Sequence, residues 1–154
     1  MLRLYMGLVF LWAFLDKVLG LGFATKAGKA WLDGVSPTAG FLKFGVHGPV
    51  AEIYHSLAGN MVVDMFFMLG LLGIGLAMTL GAGVKVASVS GAIMIFLIYT
   101  GLIPPENHPF LDEHILEIIV FLGLGFVAED PGSTAGIGKW WKNRPLVQQH
   151  KWLE

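Results

Sequence analysis

Apolar residues run along this chain in four long stretches rather than in the alternating or one-faced patterns of a water-soluble domain. The first, from about Leu4 to Phe23 (residues 4–23), is interrupted only by Asp16 and Lys17. The second runs from about Leu57 to Leu80 (57–80), in a helix whose start is set by Gly48-Pro49, because proline at a first-turn position loses no hydrogen bond. Val84 to Ile103 (84–103) forms the third, stopped by Pro104-Pro105. The fourth opens at Asp112, a good N-cap, and continues to Ala128 (112–128), where Glu129-Asp130-Pro131-Gly132 ends it. A spanning helix needs about 20 apolar residues. The pattern therefore predicts an all-α integral membrane protein, a four-helix bundle with a long outer loop from Ala24 to Gly48 between helices 1 and 2. No repeat or linker divides the chain, so residues 1–154 read as a single domain.

Composition moves the picture further towards lipid. Of 154 residues, 55% are hydrophobic and only 14% charged, where a soluble domain has about 25% charged. Glycine, at 21 residues, suits close helix packing, with Ala77/Gly81 and Ala87/Gly91 as small-x-x-x-small candidates. A net charge of −1 without a dense basic block argues against nucleic acid as a partner. No cysteine is present, which excludes a thiol relay, iron–sulfur ligation and a zinc knuckle in this chain. Basic residues orient the spans: Arg3, Lys85, Lys139, Lys142, Arg144 and Lys151 lie on the terminal side, and Lys26, Lys29 and Lys43 on the other. That asymmetry predicts a multi-pass cell-membrane protein with both termini cytoplasmic. The tail interleaves Trp140, Trp141 and Trp152 with bases, as an anchor at the headgroup level does.

Candidate chemistry lies in the ionisable residues inside the spans, since each costs on the order of 3 kcal/mol in lipid and so faces the interior, pairs or reacts. At 1.5 Å rise per residue, Asp16 lies roughly 18 Å from the inner end of its span, Glu117 roughly 16 Å, and Asp64 roughly 10 Å below the outer end of its own. These depths predict one polar layer in the outer half, with Lys17, His55, Asn60, Glu113 and His114 at or just above it. Asn60 and Asp64 share a helix face, as do Glu113 and Glu117, with His114 three residues before Glu117. Asp64, His114 and Glu117 are the candidate catalytic groups, able to relay protons; Asp16, Lys17, His55, Asn60 and Glu113 are candidate binding residues. His114-x-x-Glu117 with Asp64 and His55 lacks the Glu-x-x-His repeat of di-iron bundles, and neither metal nor a bis-histidine haem between His55 and His114 is favoured. His47, His108 and His150 read as loop residues.

Four segments in order, FLWAFLDKVLGLGFAT, AWLDGVSPTAGFL, HSLAGNMVVDMFFMLGLLGIGLA and PPENHPFLDEHIL, resemble the DoxX/DoxD family of small four-helix membrane proteins over nearly the whole chain. The resemblance implies, for the DoxD branch, the membrane subunit of a thiosulfate:quinone oxidoreductase. Its family-like polar positions are Asp16, Lys17, His55, Asn60, Asp64, Asp112, Glu113 and His114. A quinone head group needs hydrogen-bond donors and a proton source, which His114, Glu117, Asp64 and Asn60 supply, with Trp12, Phe66 and Phe67 lining an apolar entry. The expected partners are the lipid bilayer and a redox subunit, with a homo-oligomer left open. The alternatives are a non-enzymatic membrane scaffold for a partner oxidoreductase and a small proton or solute transporter.

Overall fold

The computed structural model describes residues 1–105, 108, 110–127 and 136–153. Among them every regular element is helical. Four long helices carry the fold: α1 (Leu2–Leu19), α3 (Met61–Leu80), α4 (Val84–Gly101) and α5 (Glu113–Val127). The short α2 (Ala51–Leu57) precedes α3, and α6 (Gly138–Lys142) and α7 (Pro145–Gln149) follow α5.

The ends of these helices follow local chemistry more closely than the apolar runs do. α1 stops at Leu19, four residues short of the expected end, because Gly20 adopts φ 66° and returns its N–H to the Asp16 carbonyl at 2.8 Å. The second apolar run does not start at Leu57. The helix breaks at Ala58-Gly59-Asn60, and α3 begins afresh with the Asn60 side chain accepting from the Val62 N–H at 2.9 Å. Asp112 caps α5 as expected, accepting from the His114 N–H at 2.9 Å. The expected stop after Ala128 lies outside the described residues.

Packing follows single stripes. On α3 the buried positions Asp64, Met68, Leu71, Ile74 and Met78 recur every three or four residues, and on α4 Val84, Ser88, Gly91 and Ile95 do the same, with Ala87 beside them. Met6 and Phe10 of α1 join them, and Phe121 of α5, wholly buried, meets Phe10 edge-on at 5.2 Å, so the four long helices share one core. Two close crossings hold it. A Cβ on Gly7 would stand 2.7 Å from the Thr79 nitrogen, and one on Gly91 would fall 2.5 Å from the Phe121 ring, so only glycine permits these approaches. Of the expected small-residue pairs, Ala87 and Gly91 sit in this packed stripe, whereas Gly81 ends α3 with φ 77°.

By length and apolar composition, α3 and α4 are able to cross a membrane; their mean hydropathies are 2.1 and 1.7, and only 33% and 39% of each span is buried inside the protein. α1 carries Arg3, Asp16 and Lys17, and the described part of α5 has 15 residues, so neither meets the same measure.

The segment from Leu21 to Val50 is folded against the helices. It contains a 3₁₀ turn at Trp31–Asp33 and a π-helical turn at Phe41–Gly45, and buries Ala30, Thr38, Leu42 and Val46. Ser36-Pro37 starts the short helical stretch that runs from residue 39 through Phe41–Gly45, with the Ser36 hydroxyl oxygen accepting from the Ala39 N–H at 3.0 Å. Its far end is pinned to the end of α4 by the His47 N–H on the Gly101 carbonyl at 3.0 Å. Next along the chain, Tyr54 of α2 donates to the Leu97 carbonyl at 2.8 Å and lies 2.7 Å from the Thr100 hydroxyl. Tyr54→Phe removes that clamp and is expected to cost about 1 kcal/mol. A thermal unfolding midpoint indistinguishable from wild type would show that α2 is held by other contacts.

Candidate functional site

The structure divides the expected polar layer into two groups. The first lies between α1, α3 and the loop over them. Asp16, 2% exposed, accepts from the Phe23 N–H at 3.3 Å and the Thr25 N–H at 2.8 Å, closing the chain back on the end of α1. Asp64, 5% exposed, accepts through Oδ1 from the Ser36 hydroxyl at 2.8 Å, the Thr38 hydroxyl at 2.5 Å and the Thr38 N–H at 3.3 Å. Lys17 donates to the Pro37 carbonyl at 3.3 Å, and its ammonium lies 5.7 Å from the centre of the Phe67 ring. Asp16 and Asp64 are interior as depth inside the helices suggested, and Lys17 is half-buried. Their partners are loop groups, chiefly backbone and hydroxyl, and their common effect is to fasten residues 23–38 onto α1 and α3.

The second group stands at the start of α5. Asp112 Oδ1 lies 2.6 Å from His114 Nδ1 and also takes the His114 backbone N–H, so one carboxylate sets both the helix start and the imidazole's orientation. The Tyr99 ring of α4 flanks the imidazole, with centroids 6.3 Å apart. Glu117, half-buried, lies three residues, just under a full turn, beyond His114 on α5. Glu113 is exposed. Beside them a groove of about 420 Å³ is lined by Asp112 and Glu113 at one end and by Phe110, Leu111, Ile115, Leu116 and Ile119.

Among the described residues no hydrogen bond or ion pair joins the two groups, and no three His, Asp or Glu side chains are grouped to hold a metal ion. The single shared pocket expected from depth alone is therefore corrected to two separate sites. The reason is packing: the first group lies between α1 and α3, which pack chiefly on each other, whereas α5 packs chiefly on α4. His55 and Asn60 are exposed, the first on α2 and the second spent on the α3 cap, and neither joins a polar cluster. Of the expected aromatic lining, Phe67 lies under Lys17, Trp12 packs edge-on against Phe23 at 5.2 Å, and Phe66 is 74% exposed.

Ser36, Thr38 and Tyr99 are the residues that sequence reasoning missed. Ser36-Pro37-Thr38 carries a turn signal, but nothing in the sequence pairs it with an aspartate 26 or 28 residues away. The chain matches no protein-family model, no curated protein and no solved structure.

Proposed function

We propose that this chain is a multi-pass membrane protein of DoxX type, a four-helix bundle with both termini cytoplasmic, acting as a quinone-interacting redox subunit like that of thiosulfate:quinone oxidoreductase. The membrane reading is supported by the long apolar faces that α3 and α4 leave outside the core, which water would not tolerate. The redox reading rests on the four family-like segments and on one observation above all: an Asp112–His114 pair at 2.6 Å whose Asp112, with Glu113, lines an apolar groove.

That arrangement suits a quinone head group. Asp112 fixes the His114 ring, whose Nε2–H in the protonated form donates to a quinone carbonyl, and Glu117 renews the proton. Reduction of a quinone to a quinol takes two electrons and two protons. The partner redox subunit supplies the electrons, because this chain has no cysteine for sulfur chemistry. In this reading proton transfer falls to His114 and Glu117, while Asp64 holds the loop. Purification from native membranes, with mass spectrometry of the bound lipid fraction and of co-purifying subunits, is expected to find a quinone and a redox partner; finding neither contradicts the proposal.

A second reading, a non-enzymatic scaffold for a partner oxidoreductase, draws on the first polar group. Asp16, Lys17 and Asp64 are all engaged in holding the loop, which presents Leu32 and Phe44 outward at 73% and 86% exposure. It predicts a co-purifying subunit without quinone.

A further inference from the structure

The short helix α2 (Ala51–Leu57) belongs to neither polar group, and its sides differ in chemistry. Its inward side is held to the last turn of α4, where Tyr54 donates to the Leu97 carbonyl and lies 2.7 Å from the Thr100 hydroxyl. Ile53 and Leu57, four residues apart and so on one flank, are 64% and 37% exposed. Glu52, with His55 and Ser56 three and four residues on, takes the other flank, and all three are exposed. α2 does not continue α3, because the chain breaks at residues 58–60, with Gly59 at φ 81°. Apolar side chains also stand out before and after it in the chain: Phe44, 86% exposed in the turn that packs against α2, and Met61, 72% exposed at the start of α3.

We propose that α2 is a membrane-surface helix, with the Ile53 and Leu57 flank seated in the acyl region of the adjoining leaflet and the Glu52, His55 and Ser56 flank among headgroups and water. A helix with one apolar and one polar flank finds both solvents only at that boundary. Its place in the fold agrees. α4 is long and apolar enough to cross a membrane, and the Leu97–Thr100 turn that holds α2 is its last, where a spanning helix leaves the hydrocarbon. Phe96 of α4 and Phe66 of α3, 52% and 74% exposed, both lie about a turn and a half from this end of their helices. Lipid that covers these faces therefore continues to the level of α2. Tyr99 stands on the same turn of α4, and its ring flanks His114. The boundary thus also places the Asp112–His114 pair at headgroup level, within reach of protons from water. The inference rests on the membrane reading above and is independent of any quinone.

The test uses the full chain reconstituted in palmitoyloleoylphosphatidylcholine vesicles. Because the chain has no cysteine, Ile53→Cys, His55→Cys and Leu69→Cys each take a single nitroxide label. All three positions are exposed, so a label there leaves the core undisturbed. Collisions of each label are compared between oxygen, which concentrates in hydrocarbon, and a nickel chelate confined to water. The Ile53 and Leu69 labels are expected to favour oxygen over the chelate severalfold more than the His55 label does. Equal accessibility of the Ile53 and His55 labels overturns the inference, and the membrane reading then stands if the Leu69 label still favours oxygen. A Leu69 label open to the chelate overturns both. Spin–spin broadening at Ile53 that vanishes on dilution with unlabelled protein, the sign of a second copy seated on this flank, overturns the inference as well.

Discussion

Replacing Asp64 by alanine is expected to free the Ser36–Thr38 segment and to destabilise the protein by about 3 kcal/mol. Three donors converge on Asp64 Oδ1, two of them from Thr38, which is itself buried. Without the carboxylate those donors lose their acceptor while still enclosed, and the cheapest response is for the loop to lift. Lys17 then loses its seat, because the Pro37 carbonyl moves with its neighbours. Asp64→Asn keeps an acceptor at the same place and is expected to lose only about 1 kcal/mol. Trypsin gives a direct readout, since Lys26, Lys29 and Lys43 all lie exposed in this loop. The alanine variant should be cut there well before the wild type, and the asparagine variant at an intermediate rate. Equal cutting of all three proteins would mean that apolar contacts at Ala30, Leu42 and Val46 hold the loop unaided.

This anchoring shows where the sequence was informative. Asp16, Lys17 and Asp64 stood out because a charge within an apolar run must have a reason, and interior placement was that reason. What they bind was not readable, because the partners are backbone amides and short hydroxyls with no pattern of their own. Helix ends were misjudged for a related cause. Hydropathy continues unchanged through Leu21 and Phe23 and through Leu57 and Ala58, while the chain turns at Gly20 and breaks before Asn60 on backbone conformation and side-chain capping. Gly59-Asn60 did carry a usable turn signal, masked by the apolar residues around it. Gly7 could not be singled out from the other glycines, since its meaning lies in Thr79, some seventy residues on.

The same distinction separates the two polar groups. The cap signal marked Asp112 and its neighbour His114, because both lie on one short stretch at the start of α5. Joining them to Asp64 required the order of helices in space, which depth does not contain. The structure leaves the α5 group beside an apolar groove and gives the α1–α3 group to the loop.

Loss of quinone binding is the largest functional effect expected, and it distinguishes the redox subunit from the scaffold and the transporter. A short-chain quinone titrated into the full purified chain should bind with a one-site isotherm. His114→Ala and Glu117→Gln should weaken binding at least tenfold with helical content unchanged, and Asp64→Asn should leave affinity near wild type because its carboxylate serves the loop. Proton flux through liposomes without a redox couple would instead mark a transporter. The decisive measurement is the quinone affinity of wild type against His114→Ala: saturable binding is expected in the first and its loss in the second. Equal binding by both proteins, or none by the wild type, would contradict the redox reading.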